Sequence, residues 1–226
     1  TLSSIWNVSY FIEEKVIDNE ILGYLSNLAL NHPHPEKSNN PTDPQFDSLN
    51  SVRGAAIHRI IHCYYDIQFC DTIFTTVESA CYDNQTSVKV GILLNLAYLN
   101  YLDIDRAFKI FIKLTDTNDA VILKYCFKSA SYFNNKFYLN MLPLMDKVID
   151  NEELHENGSY LIVHSWLLGY DKNKQYYKRF INSSKKAKLQ ALHIAEENLF
   201  EKEVIDEKCL DILFEFINQI DDDFAS

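Results

Sequence analysis

The sequence predicts an all-α fold, an α-solenoid of HEAT/TPR-like antiparallel helix pairs. Two observations carry this. Gly and Pro number only five each in 226 residues, and β sandwiches or barrels built on short turns need many of both. An apolar pattern also recurs. Val52, Ala56, Ile60 and Cys63 are matched 36 residues later by Val88, Ile92, Leu96 and Leu99. A further 34 residues lead to Ile122, Cys126, Ala130 and Phe133. The spacing i, i+4, i+8, i+11 is that of one helix face. Helical stripes with a period of about 35 residues are the signature of stacked helix-pair repeats.

Each element follows from this pattern. Residues 1–31 read as a helical hairpin. Its first helix runs from Ser4 to Asp18 on the stripe Ile5, Val8, Ile12 and Val16, and its second from Glu20 to Asn31 on Ile21, Leu22, Leu25, Leu28 and Ala29. Residues 32–48 hold four of the five prolines and predict a Pro/Asn-rich loop, because proline fixes φ and cannot donate. Residues 49–226 form the repeat array, opened by Asn50 or Ser51 as an N-cap. Its predicted pairs are 52–67 with 70–82, 87–102 with 104–115, and 120–133 with a segment ending at Asp150. They continue with 153–169 and 174–181, then 185–199 and 207–220. Asp103 is expected to cap its helix, and Pro143 to sit in a first helical turn, where its missing N–H is harmless. All 226 residues form a single α-helical repeat domain in this reading. The start at Thr1 and the run Asp221-Asp222-Asp223-Phe224, read as an inter-repeat turn, mark it as a fragment of a longer protein.

The net charge is −11 and the sequence pI is near 5.0. Nucleic acid and anionic membrane are therefore not the expected partners, since phosphate binding needs clustered Lys and Arg. A helical enzyme of the DNA-glycosylase kind would need such a groove as well. The five cysteines fit no disulfide framework or zinc knuckle. Cys63 and Cys126 lie on the apolar stripes, so core thiols in a reducing cytoplasm are expected. No apolar run approaches the length of a membrane span.

Several residues of the array carry a resemblance. Ser51-Val52-Arg53-Gly54-Ala55-Ala56 opens a repeat. An apolar Leu142-Pro143-Leu144-Met145 helix, a helix start at Gly158, and a small-residue helix from Ala187 to Leu199 before Cys209 to Ile220 follow in order. Over roughly residues 48–226 the chain resembles the HEAT/TPR-like C-terminal arrays of bacterial antiviral STAND NTPases, the AVAST (Avs) group. The resemblance implies a target sensor that binds a phage structural protein, the large terminase subunit or the portal. In that family, binding drives assembly of a central ATPase and an N-terminal effector. No Gly-x4-Gly-Lys-Ser/Thr phosphate loop occurs here, so no catalysis is expected of this chain, and oligomerisation would run through parts outside it. A generic HEAT-like scaffold with another protein partner is the alternative.

Other chemistry finds no frame. His58 and His62 have the spacing of a zincin pair, but Arg59-Ile60-Ile61 between them lacks the catalytic Glu, and an ordinary helix surface explains them. No Gly-x-Ser-x-Gly elbow frames a serine. Lys185-Lys186-Ala187-Lys188 reads as a solvated turn. Arg53 is expected to pair with a carboxylate of the adjacent repeat, with Lys89 in the equivalent place of the next unit. No catalytic, cofactor or metal residues are assigned.

Aromatics remain. Tyr64-Tyr65, Tyr98, Tyr101, Tyr132-Phe133, Tyr170 and Tyr176-Tyr177 fall near helix ends. Part of each set belongs to the core, and the remainder would line one edge of the array. Tyr combines area with a polar tip and is enriched in binding surfaces. Tyr98, Tyr101, Tyr132 and Tyr170 are the expected partner contacts.

Overall fold

The computed structural model describes residues 2–5, 7, 17–33, 43–200 and 203–224. Among these the protein is all-helical, with twelve α-helices and no strand. The chain divides into two compact units, Thr1–Tyr132 and Phe133–Ser226. Most of the first expected helix lies outside the described residues; residues 2–5 and 7 are helical.

In the first unit, α1 (Asn19–Asn31) starts where the Asp18 side chain accepts from the Ile21 N–H at 2.9 Å. It buries Leu22, Leu25, Leu28 and Ala29. It ends at His32, extended ahead of Pro33, as the residue before proline prefers. Residues 34–42 of the expected 32–48 loop lie outside the described residues, and its end is instead a short helix, α2 (Pro44–Asn50). Asp43 caps it and Pro44 stands in the first turn, where proline costs no hydrogen bond. Ser51 closes α2 and caps α3 (Val52–His62), accepting from the Gly54 N–H at 3.1 Å. The two helices meet so closely that a Cβ at Gly54 would collide with the Ser48 carbonyl. This is a position that only glycine fills without movement.

Helices α4 (Cys70–Ala80), α5 (Thr86–Asn95), α6 (Asn100–Thr115) and α7 (Ala120–Lys124) follow. The long helices expected over 52–67 and 87–102 each break into 3-10 turns, at Cys63–Tyr65 and Leu96–Leu99. At the second break the Asn95 amide turns back to the Gly91 carbonyl at 2.8 Å, a side-chain bond that competes with the helical ladder. Asp103 takes an extended conformation inside α6 and caps its second part, accepting from the Arg106 N–H at 2.9 Å. Helix α3 packs on α1, α2 and α5; α4 packs on α1 and α6; α5 packs on α7. Arg53 pairs with Asp83, in the turn before α5, at 3.1 Å, the structural role expected of it.

All twelve stripe positions are buried. None exceeds 6 % exposure, so the register read from the repeat is the register of the core.

Helix α8 (Phe127–Asp150) contains the division between the units and leaves helical geometry at Phe137. Pro143 is interior to α8, not in a first turn. The helical donor it lacks would serve the carbonyl of Leu139, two residues past the break at Phe137. In the second unit, α9 (His155–Leu167) packs on α10 (Gln175–Ile181), α11 (Lys185–Asn198) and α12 (Glu203–Phe224). Asp171 is buried and starts α10, accepting from the N–H groups of Gln175, Tyr176 and Tyr177. The Lys208 ammonium closes α9 from α12, donating to the Trp166 and Leu167 carbonyls at 2.8 Å each. The Asp221-Asp222-Asp223 run, expected as a turn, continues α12.

Candidate protein-contact surface

The surface begins in the core. His58 is 9 % exposed, which corrects the expectation of an ordinary helix surface. Its Nδ1 accepts from the Asn95 amide at 2.8 Å, and its Nε2 lies 3.4 Å from the Ser48 hydroxyl. Asn95 Oδ1 accepts from His62 Nε2 at 3.2 Å. Burial, then His62 and Arg59, hold the His58 imidazole down to about 4, and burial lowers His62 as well. Both rings are therefore neutral near pH 7, as the donor from Asn95 to His58 requires. The sequence hid this network because Asn95 lies 37 residues from His58.

Asn95 belongs to a recurring polar position. Ser129, 34 residues on, donates to the Leu93 carbonyl of α5. Ser165, a further 36 residues on, accepts from the Asn134 amide at 2.8 Å. A buried polar residue at each turn of the period satisfies a neighbour's group, as buried polar atoms must. It could have been found by adding the repeat period to Asn95.

From His62 the network passes to the surface. The His62 ring is 5.0 Å from that of Tyr98. Tyr64 stacks on Tyr98 at 5.1 Å and on Tyr101 at 5.5 Å. The two 3-10 turns place these side chains together: Tyr64 is in the turn after α3, Tyr98 in the turn after α5, and Tyr101 in the first turn of α6. Tyr101 is 78 % exposed, while Tyr64 and Tyr98 are half-buried. Offset stacks of this kind fix ring orientation. The result is an aromatic ledge whose inner ring, Tyr98, rests against His62, which is itself hydrogen-bonded to Asn95 in the core.

The four expected contacts thus separate. Tyr98 and Tyr101 share the ledge with Tyr64. Tyr132 is exposed on α8 with no ring contact among the described residues. Tyr170 lies in the second unit, its ring 6.2 Å from Tyr138. Burial, then Asp171 and Tyr176, push the Tyr138 hydroxyl up to about 12.

Among the described residues no group of three or more His, Cys, Asp or Glu is arranged to hold a metal ion. The five cysteines are free, four of them buried, and burial pushes Cys63 up to about 12 and Cys81 to about 11. These are unreactive thiols. No described helix is long and apolar enough to cross a membrane. No family model, curated protein or solved structure matches the chain.

Proposed function

We propose that this chain is a protein-recognition module: a solenoid of HEAT-like helix pairs that offers the Tyr64–Tyr98–Tyr101 ledge to a folded protein. The observation that carries the reading is the ledge itself. It combines an exposed ring with two half-buried ones, stacked on one another and backed by the His62 ring. Large, rigid aromatic area lowers the entropy lost on binding, and central aromatic anchors dominate interface energies. The burial of all twelve stripe positions and the neighbour order within the first unit support the stacked-repeat reading. Such arrays present extended contact surfaces.

The partner is a phage structural protein, terminase or portal, and the chain is the sensor region of an antiphage STAND NTPase acting in the cytoplasm. The resemblance of residues 48–226 supports this finer reading. The chain works by binding, without turnover, and without nucleic acid or membrane as partner.

The experiment is a pull-down of the chain with phage terminase and portal proteins, with Tyr98→Ala, Tyr101→Ala and Tyr132→Ala variants in parallel. Capture of either protein that weakens in the Tyr98 and Tyr101 variants, with their helicity intact, supports the reading. Absence of capture moves the function to a HEAT-like scaffold with another protein partner.

A further inference from the structure

The chain as a whole has 21 basic and 32 acidic residues. Residues 172–195 reverse that balance, with seven Lys or Arg and no Asp or Glu. They cover the turn into α10, α10 itself and much of α11. Helix α10 buries Tyr177, Phe180 and Ile181, which leaves Gln175, Lys178 and Arg179 exposed on its other side.

Part of this charge is already paired. Lys174 reaches Glu215 at 3.2 Å, Arg179 reaches Asp146 at 2.7 Å, and Lys186 lies 3.6 Å from Glu156. Among the described residues, Lys172, Lys178 and Lys185 have no carboxylate in ion-pair range. Three carboxylates face the same region. Asp146 is held by Arg179, both oxygens of Asp171 accept backbone N–H groups, and Asp150 acts on Arg179 from the end of α8. Lys172 and Lys178 remain as exposed positive charges.

Lys172 and Gln175 also stand on the rim of a cavity of about 540 Å³. Tyr138, Leu139, Leu142, Tyr170 and Tyr176 form its walls. Leu139 is 75 % exposed, and the Arg179 guanidinium lies 5.1 Å from the Tyr176 ring centre. Lys172 is the one basic residue of the lining; Asp171 lines it too, its oxygens taken by backbone N–H groups, and Lys178 stands three residues beyond Gln175 on α10. An apolar, aromatic well with a lysine at its margin has the anatomy of a hot-spot pocket: a centre that takes an anchor and a charged margin that selects it.

We propose that this pocket receives a large apolar side chain, Phe, Trp or Leu, from an acidic segment of a partner protein, with Lys172 and Lys178 pairing with the segment's carboxylates. Charge complementarity selects the occupant, because the carboxylates beside the pocket are taken by Arg179, Lys174 and backbone N–H groups, whereas Lys172 and Lys178 are exposed without one. Two walls are aliphatic leucines, which suit an apolar side chain better than a stacked base. The proposal extends the protein-recognition reading but uses the other unit and other residues, so either surface can fail alone.

The test is fluorescence anisotropy on the whole chain with four labelled probes. They are a short Asp/Glu peptide with one central Trp, the same peptide with Ala for Trp, a Lys-substituted peptide that keeps Trp, and oligothymidine. The acidic Trp peptide is expected to saturate, and the other three to bind at least about tenfold more weakly. Its affinity should fall by a similar factor in Lys172→Glu/Lys178→Glu, in Leu139→Ala and at raised salt, and stay unchanged in Tyr101→Ala. Both Lys172 and Lys178 and the Leu139 side chain are exposed, so these variants should keep the wild-type melting curve. Failure of the acidic Trp peptide to saturate, equal binding of the Ala peptide, or preference for oligothymidine overturns the proposal.

Discussion

Lowering the pH from 7 to 4 should destabilise the first unit through His58. The imidazole is buried, and its Nδ1 accepts from an Asn95 amide that also donates to the Gly91 carbonyl. A proton on Nδ1 would set one donor against another in a site that has excluded water. Burial first, then the neighbouring His62 and Arg59, hold the folded-state value to about 4, against 6.5 for the free group. The unfolded chain then binds more protons in this interval, so stability rises with pH. The contribution is fully present above pH 6.5 and is lost as the pH falls through 4. A fall from 6.5 to about 4 corresponds to about 3 kcal/mol, a large part of the stability of a small domain. His62, lowered by burial too, adds in the same direction. Carboxylates also titrate below pH 5, so the comparison is with His58→Gln, which keeps a polar side chain but cannot be protonated there. Urea unfolding of both proteins at steps from pH 7 to 4 should give curves that converge by about 3 kcal/mol on acidification. A constant difference between them across that range would refute the buried neutral imidazole. An NMR titration of the His58 ring gives the same answer directly, with a midpoint near 4 expected.

Three further outcomes test the core and the helix joints. Leu96→Ala removes a fully buried side chain at the second break and should cost roughly 2–5 kcal/mol in denaturant unfolding; an unchanged midpoint would mean the repeat register is wrong. Gly54→Ala sets a methyl against the Ser48 carbonyl and should cost about 1–3 kcal/mol by the same assay, although alanine is the better helix former. Asp103→Ala removes the cap on the second part of α6, and a loss of about 1 kcal/mol is expected in thermal melting.

The core was legible because burial follows period. Val88, Ile92, Leu96 and Leu99 lie where the stripe from Val52 placed them, and every stripe residue is buried. The caps at Ser51 and Asp103 were legible for the same local reason, a short polar side chain just ahead of an apolar run. The helix breaks at Cys63 and Leu96 were not, since the apolar spacing continues through them and a 3-10 turn keeps the same residues buried. Helix α2 was hidden because Asp43-Pro44, a good helix start, stands behind a run of prolines that reads as loop. Tyr98 and Tyr101 were visible as candidates from their place near helix ends. Their stacking with Tyr64, and the link through His62 to Asn95, depend on turns and on residues a whole repeat apart. Tyr170 was visible too, but its setting was not. Its partner Tyr138 lies 32 positions earlier, and the basic stretch beside it is diluted by a strongly acidic chain.

The most direct measurement is a titration of purified phage terminase or portal with this chain, wild type against a Tyr64→Ala/Tyr101→Ala double variant. Tyr101 is exposed and Tyr64 half-buried, so the double variant should keep its helicity. With the ledge as the contact, it should bind about thirtyfold more weakly, a loss of about 2 kcal/mol. Affinity equal to wild type in a folded double variant would contradict the ledge as the recognition surface.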